Sequence, residues 1–267
     1  MAVWYALHEP LLARCHDIPK KDPMTTSHTT NADQATGLPI GMPVDPSPAR
    51  LPERSRLVGR QVQLVPLDAA QHTDALYEET HGAGRDALWL YLPDGPFPDK
   101  AAFRSALEQK ASSLDPFFFA ILDRLSGRAL GQAAYLRIKP AHRSIEVGWI
   151  LYAPSLQRTV GATEAMYLLA KHAFEDLGYR RYEWKCNALN APSRHAALRL
   201  GFAFEGIFRQ HMIVKGRNRD SAWFSMLDTE WPARRRTFER WLDPANFDAE
   251  GRQRISLSML NGVSTLT

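Results

Sequence analysis

The sequence predicts one α/β (α+β) domain in which helices cover both faces of a mixed central sheet. Three observations support this class. Apolar segments typical of neighbouring strands follow one another between residues 117 and 152, a one-faced amphipathic helix comes next, and strand and helix signals then alternate to about residue 227. Antiparallel strands followed by strand–helix–strand units combine into a mixed sheet with helices on its two faces.

The first half of the domain is predicted as a strand, two helices and three strands. Residues 62–67 are predicted as the first strand, and a helix follows from Asp68 to about Thr80. After a loop rich in glycine, proline and aromatic residues, Asp99 is expected to cap a second helix that runs to about Ser113. The three strands are predicted over Phe117–Leu122, Ala129–Ile138 and Ser144–Tyr152.

The strand over Ser144–Tyr152 has a clean alternation of apolar and polar residues. Because successive side chains of a strand point to opposite faces, the alternation predicts a single apolar face. This face is expected to carry Ile145, Val147, Trp149 and Leu151.

The second half begins with the clearest helix of the sequence. Apolar residues recur at intervals of three and four from Met166 to Leu177, and Gly178 is suited to end the helix. The remaining elements are a strand over Arg181–Cys186, a helix capped by Asn190 and closed by Gly201, strands over Ala203–Val214 and Asp220–Leu227, and a last helix over residues 229–242.

The sequence divides into a domain and two tails. Residues 1–56 hold eight of the eighteen prolines and a polar stretch, so they are predicted to form a disordered tail. The domain is predicted over residues 57–242, and residues 243–267 are predicted as a loose tail.

Composition excludes several classes of protein. Two cysteines, Cys15 and Cys186, cannot form a disulfide framework, and the sequence has no CxxC motif or Cys/His cluster for a metal. No segment has the roughly 18 apolar residues that a membrane span needs, so no membrane partner is expected. The first residues lack the basic start of a signal peptide, so a cytoplasmic protein is predicted.

Three consecutive stretches carry the candidate chemistry. Residues 144–165 form a strand, a short loop and a helix start, and the free N–H groups of a helix start suit a phosphate group. Within that loop, Gly161 and the small Ala162 are expected to let a ligand approach the backbone. Asn190 and Ser193 stand at a second helix start, and a long hairpin follows Gly201.

These stretches resemble the GNAT acetyltransferase superfamily, and within it the ribosomal-protein N-acetyltransferase (RimJ/RimL-like) branch. The resemblance spans about residues 60–230 and rests on Ile145–Leu151, Ala162–Ala165, Asn190 with Ser193, and Leu200–Gly206. It implies a sheet in which the parallel strands over Ser144–Leu151 and Arg181–Cys186 splay apart around a cofactor arm.

The resemblance also implies acetyl-CoA, or another acyl-CoA, as co-substrate, and the lack of a Cys/His cluster predicts that no metal is bound. The family's acetyl-CoA loop has the form Q/R-x-x-G-x-G/A, and here Val160 takes the place of its central glycine. The implied cofactor-binding residues are Ile150, Leu151, Gln157, Arg158, Thr159, Val160, Gly161, Ala162, Thr163, Asn190 and Ser193.

Acetyl transfer to an amine sets the expected catalytic residues. The acceptor must lose a proton, because an ammonium of pKa about 10 has no lone pair. Glu146 is expected to accept that proton through water, with Glu183 as a second candidate. The resemblance implies Ser193 as the acid or thiolate stabiliser, and a backbone N–H near residues 149–151 is expected to meet the thioester oxygen. No acyl-enzyme is required, so Cys186 is interpreted as a packing residue.

Several candidates also have an ordinary structural interpretation. Glu146 could pair with an arginine as any strand residue does, and Glu164 is expected only to stabilise its helix dipole. His195 and His211 are interpreted as surface or packing residues. The predicted substrate pocket consists of Trp149, Glu183 and Trp184, although strand tryptophans are commonly core residues.

Charge is uneven along the sequence. The whole chain has a formal charge of +4, yet residues 178–240 hold thirteen Lys and Arg against six Asp and Glu. Two interpretations stay open: a solvated face with residues 234–236 pointing outward, or a basic rim for the phosphates of CoA or for an acidic acceptor. No nucleic-acid-binding motif is present, so no nucleic-acid partner is expected.

The predicted function is therefore acyl-CoA-dependent N-acylation of a primary amine by direct attack. The alternative is a non-catalytic CoA-binding or scaffolding protein with the same fold. The expected partner is a small amine or a protein N-terminus, and the expected assembly is a monomer or homodimer.

Overall fold

The computed structural model describes residues 30–262, which form two compact units divided between Pro46 and Ser47. In the first unit, β1 (Thr30–Ala32) pairs with β2 (Pro39–Gly41) in antiparallel fashion. In the second unit Ala49 is buried in the core, so this unit starts before the predicted boundary at residue 57. Residues 1–29, with Cys15, and residues 263–267 of the predicted tails lie outside the described part.

An eight-stranded sheet forms the centre of the second unit. Its strands are β3 (Leu57–Val58), β4 (Val62–Pro66), β5 (Phe117–Asp123), β6 (Ala129–Lys139), β7 (Ser144–Tyr152), β8 (Arg181–Asn187), β9 (Ala203–Val214) and β10 (Arg217–Leu227). Their order across the sheet is β3-β4-β5-β6-β7-β8-β10-β9. Only β7 and β8 pair in parallel among these neighbours, so the sheet is mixed, as predicted.

Helices cover both faces of this sheet. They are α1 (Ala69–Thr80), α2 (Lys100–Ser112), α3 (Val160–Lys171), α4 (Ala191–Arg199), α5 (Trp231–Leu242) and α6 (Leu257–Leu260). One apolar cluster lies between the sheet and α1 with α2, and a larger one lies between the sheet and α3, α4 and α5. This arrangement confirms the predicted fold class.

Side-chain caps begin the helices at the expected positions. Asp68, Asp99 and Asn190 each accept a hydrogen bond from the backbone N–H three residues ahead. Thr159 caps α3 in the same way, with its Oγ1 atom 3.2 Å from the N–H of Ala162. These bonds satisfy donors that a helix start leaves without an intrahelical partner.

The strand β7 departs from the predicted alternation. Ile145 and Val147 face the larger core, but Leu151 and Trp149 belong to the opposite cluster with α1 and α2. Trp149 has φ 52°, and the β6–β7 register shifts beside it. The prediction that these four residues share a face is therefore wrong, because a bulge adds one residue and reverses the faces beyond it.

The C-terminal segment also differs from its prediction. Leu257 on α6 is fully buried in the larger core, and the Asn246 side chain donates to the carbonyls of Trp241 and Ile255 at 3.1 Å each. Residues 243–262 thus pack on the domain instead of forming a loose tail. Few of these residues are apolar, so periodicity did not indicate their burial.

Candidate active site

A cleft opens where the parallel strands β7 and β8 separate. Their pairing runs from Ser144 opposite Arg181 to Val147 opposite Trp184 and then stops. The bulge at Trp149 follows directly on β7. The cleft has a volume of about 1360 Å³ and is lined by both strands, the start of α3, α4 and the loop between α1 and α2.

Most residues predicted for the site line this cleft. They are Glu146, Trp149, Ile150, Leu151, Gln157, Arg158, Thr159, Val160, Ala162, Thr163, Trp184, Asn190 and Ser193. Two predicted residues, Gly161 and Glu183, do not line it.

Gly161 serves packing rather than ligand approach. A Cβ atom at this position would lie 2.8 Å from Cγ1 of Val62, so the glycine lets the start of α3 lie against β4. Glu183 lies on β8 opposite Glu146 but does not line the cleft, and its carboxylate accepts from Nε of Arg181 at 2.7 Å. Of the residues predicted for the substrate pocket, Glu183 is therefore outside the cleft, and the ion pair with Arg181 holds its carboxylate.

The start of α3 forms one wall of the cleft. Arg158, in the left-handed region with φ 60°, turns the chain into the helix, and Thr159 and Val160 line the cleft. The cap on Thr159 occupies the N–H of Ala162. A helix start of this kind directs backbone donors and a partial positive charge at an anion.

Ser193 lies at the centre of a hydrogen-bonded group on α4 and β8. Its Oγ atom accepts from Nε1 of Trp184 at 3.0 Å, and its backbone N–H donates to Oδ1 of Asn190 at 3.1 Å. Burial raises the pKa of the Cys186 thiol, and a hydrogen bond with Ser193 opposes that rise. Cys186 is thus a poor thiolate nucleophile, in line with its interpretation as a packing residue.

Glu146 is buried at the paired end of the cleft, with only 4% of its surface exposed. Its Oε2 atom lies 2.6 Å from Nζ of Lys185 and 2.8 Å from Nη1 of Arg137. Burial raises the pKa of Glu146, and the two cations oppose that rise. The two interpretations of Glu146 are compatible, since it pairs with cations and also lines the cleft.

Sequence reasoning missed a group of cations that surrounds Glu146. Besides Arg137 on β6 and Lys185 on β8, Arg219 on β10 lines the same part of the cleft. Burial lowers the pKa of Lys185, whose side chain is 2% exposed and whose Nζ lies 4.0 Å from the centre of the Trp223 ring. One indication of this group is visible in the sequence, because Lys185 lies between two apolar strand residues, Trp184 and Cys186.

Two other walls of the cleft also lacked a sequence signal. The loop between α1 and α2 contributes Tyr91, whose hydroxyl donates to the carbonyl of Leu189 across the cleft at 3.2 Å. Lys215, at the tip of the β9–β10 hairpin, donates to two carbonyls of this loop. The C-terminal segment adds Phe247 and Gln253 beside Trp241.

The histidine candidates have different surroundings. His195 lines the cleft on α4. His211 lies beside it on β9, with Nδ1 2.9 Å from Oγ of Ser221. Burial lowers the pKa of His211, and the nearby cations lower it further.

The donor set of the cleft fits a CoA thioester. A helix start for phosphates, an opening between parallel strands for an extended arm and a buried carboxylate at the strand divergence occur in one cavity. Within residues 30–262, no three His, Cys, Asp or Glu side chains are grouped to hold a metal ion. None of the helices over the same residues is long and apolar enough to cross a membrane.

Comparison with known proteins agrees with this geometry. The family model of the acetyltransferase (GNAT) domain matches residues 61–203, more than half of the chain. A GCN5-related N-acetyltransferase from Brucella melitensis is 46% identical, with TM-score 0.79 and coverage of 81% of this chain and 98% of its own. A probable GNAT-family acetyltransferase from Chromobacterium violaceum is 43% identical, with TM-score 0.65 and coverage of 72% and 100%.

A curated Bacillus subtilis protein, "Putative ribosomal N-acetyltransferase YdaF", is 25% identical over 173 residues, which are 63% of this chain and 90% of that protein. The matched family model extends over both strands of the cleft, the start of α3 and the whole of α4. The chain is a member of the GNAT acetyltransferase family.

Proposed function

We propose that this acetyltransferase moves the acetyl group of acetyl-CoA directly to a primary amine, and that it belongs to the RimJ/RimL-like branch. The amine nitrogen attacks the thioester carbonyl carbon, a C–N bond forms as the C–S bond breaks, and the sulfur leaves as a thiolate that takes up a proton. The observation that supports this most is the buried Glu146 carboxylate at the point where β7 and β8 separate.

Glu146 is proposed to accept the proton of the amine through one water. Both ion pairs of this residue use Oε2, so Oε1 is the oxygen that can hold the water. A carboxyl whose pKa is raised by burial is a better base near neutral pH than an exposed one. Lys185 and Arg137 hold the carboxylate in one orientation, which limits the entropy lost in reaching the reactive geometry.

The residues of the cleft are proposed to bind acetyl-CoA at two places. The backbone of residues 158–163 holds its phosphates, and the Asn190 amide, whose Oδ1 caps α4, uses its Nδ2 donor for the extended arm. Backbone N–H groups at the Trp149 bulge, where the ladder is interrupted, stabilise the oxygen charge that develops during attack. Ser193 donates its hydroxyl proton to the departing sulfur in place of the Cys186 sulfur, while its Oγ continues to accept from Nε1 of Trp184.

The test is thiol release from acetyl-CoA with a panel of primary amines. Glu146→Gln is expected to lower kcat by about a hundredfold or more, because general base catalysis contributes roughly 10²–10⁴. Ser193→Ala is expected to lower kcat less, by about tenfold, because water can protonate the thiolate.

Glu183→Gln is the matched control for Glu146→Gln. It removes the carboxylate directly opposite Glu146 in the strand pairing but outside the cleft, so its kcat is expected to stay within about twofold. Equal losses in both variants would contradict the role of Glu146. Tight CoA binding with no turnover on any amine would instead support the scaffolding alternative.

A further inference from the structure

We propose that the acceptor amine carries a carboxylate or phosphate group, and that Arg137, Lys185 and Arg219 bind this anion at the paired end of the cleft. This inference rests on the proposed N-acetyl transfer and specifies its substrate class. It follows from the charge, the position and the surroundings of the three cations.

The cations in this part of the cleft outnumber the carboxylates, because Glu183, whose charge also acts on Lys185, is itself paired with Arg181. Among the described residues that line the whole cleft, Glu146 is the single carboxylate. Its Oε2 atom contacts both Arg137 and Lys185, so one negative charge is shared by two cations. Arg219 adds a third positive charge.

Arg137 lies close enough to the other two cations to lower the pKa of each, after burial as the larger cause. The positive charges of Lys185, Arg137 and Arg219 all lower the pKa of His211, after burial as the larger cause. Arg219 is also within range of Glu146, whose charge acts on its guanidinium. Its Nε atom is buried and has no hydrogen-bond partner among the described residues. A buried guanidinium donor without a partner is costly, and an anionic ligand oxygen would satisfy it.

The position of this cluster separates it from the site proposed for the CoA phosphates. Glu146 lies near the start of β7 and Tyr152 at its end, and six residues of strand span at most about 20 Å at roughly 3.3 Å each, a length that the bulge at Trp149 shortens. The start of α3 follows the Tyr152 end. A phosphate held at residues 158–163 is therefore too far away to neutralise the cations around Glu146.

The surroundings favour a specific anion-binding pocket over a solvated face. The Lys185 side chain is 2% exposed and lies over the Trp223 ring. The loop between α1 and α2 adds the apolar residues Leu88, Leu92 and Pro93 to the lining of the cleft. Anion binding in such a low-dielectric pocket is stronger than on an exposed surface, and a polycationic amine would be repelled.

The experiment compares acceptors that differ in the anion. The pairs are 2-aminoethyl phosphate against 2-aminoethanol, and 3-aminopropanoate against 3-aminopropanamide, with spermidine as a polycationic acceptor. We expect kcat/KM to be higher by about tenfold or more for at least one anionic member over its neutral partner, since hydrogen bonds to charged groups are strong. The two pairs distinguish phosphate from carboxylate. A preference for the neutral members or for spermidine would overturn the proposal.

Variants test whether these cations cause the preference. In Arg219→Gln, we expect the ratio of kcat/KM between anionic and neutral acceptors to fall by about tenfold relative to the unmodified protein. Because the same ratio is compared between the variant and the unmodified protein, differences in amine basicity between the two acceptors cancel. Arg217→Gln is the control, because Arg217 is exposed on the same strand and does not line the cleft. Equal losses for both acceptors in Arg219→Gln would contradict the anion site.

Calorimetry with CoA-saturated protein separates this inference from the proposed function. Binding of 2-aminoethyl phosphate or 3-aminopropanoate, lost in Arg219→Gln, would support the anion site even if no acceptor turns over. Absence of turnover with every amine would overturn only the proposed function. Equal binding of anionic and neutral acceptors would overturn the anion site, whatever the turnover.

Discussion

At the scale of one residue, Glu146 has to meet two opposing requirements, a raised pKa and a carboxylate that is still partly ionised. Burial raises its pKa and makes it a better base, while Lys185 and Arg137 keep part of the carboxylate ionised. A buried carboxyl without these cations would take up a proton instead of carrying charge. The cations therefore set the pH range in which Glu146 can accept a proton from an amine.

Removing one cation should move that range. Arg137 lowers the pKa of Glu146, so Arg137→Gln should raise it further. Because only the ionised carboxylate accepts a proton, activity falls as pH drops through this pKa, and the acid limb of kcat/KM should shift to higher pH. The measurement is a pH–rate profile with a neutral amine.

The exposed Arg104 on α2 provides the control for this profile. Arg104→Gln should leave the acid limb in place. If the acid limb of kcat/KM is unchanged in Arg137→Gln, or moves to lower pH, then Glu146 is not the group whose titration causes that limb.

At the scale of elements, Glu164 fixes the start of α3 against the sheet. Its carboxylate is buried and accepts from the backbone N–H groups of Arg60 at 2.7 Å, Gln61 at 2.7 Å and Val62 at 2.9 Å. A Cβ atom on Gly59 would lie 2.5 Å from this carboxylate. Glu164 therefore does more than stabilise the helix dipole, because it joins α3 to the turn between β3 and β4.

Glu164→Gln should lower the free energy of unfolding by about 2 kcal/mol, because it weakens charge-assisted bonds and sets an amide N–H against a backbone donor. Urea denaturation measures this. Glu108→Gln, on the exposed face of α2, should change the free energy by less than about 0.5 kcal/mol. Similar values for the two variants would mean that the three bonds contribute little net stability.

Local signals were sufficient to predict most elements and the cleft residues on β7, α3 and α4. The caps Asp99 and Asn190 and the spacing from Met166 to Leu177 act within a few residues, so they are visible in sequence. The Trp149 bulge was not predicted, because an inserted residue reverses the faces without altering the alternation of residue types.

Contacts that depend on sheet order could not be predicted. The cluster of cations draws on three strands, with Arg137 on β6, Lys185 on β8 and Arg219 on β10. These strands lie close together only because the order across this part of the sheet is β6-β7-β8-β10. Glu164 bonds to backbone groups 102–104 residues away in sequence. Periodicity reports which residues are buried, but it does not report which distant residues meet.

At the scale of the whole molecule, the C-terminal segment completes both the core and the cleft. Leu257 joins the larger core, and Asn261 donates to the carbonyl of Arg199 at the end of α4 at 2.9 Å. Trp241 lines the cleft and donates from Nε1 to Gln253 at 2.8 Å, and the Arg199 guanidinium lies over its ring. Stability and cofactor binding should therefore depend together on residues 243–262.

The short helix α6 offers a matched pair of variants for this coupling. Leu257 is fully buried, so Leu257→Ala should lower the free energy of unfolding by about 3 kcal/mol through lost burial and a residual cavity. Met259, two residues away, is 70% exposed, so Met259→Ala should change the free energy of unfolding by less than about 0.5 kcal/mol.

Leu257→Ala should also weaken CoA binding, because Trp241 and Phe247 lose the packing that holds their wall of the cleft. Denaturation and calorimetry measure the two effects, and a destabilised Leu257→Ala with unchanged CoA affinity would show that this wall is held independently of α6.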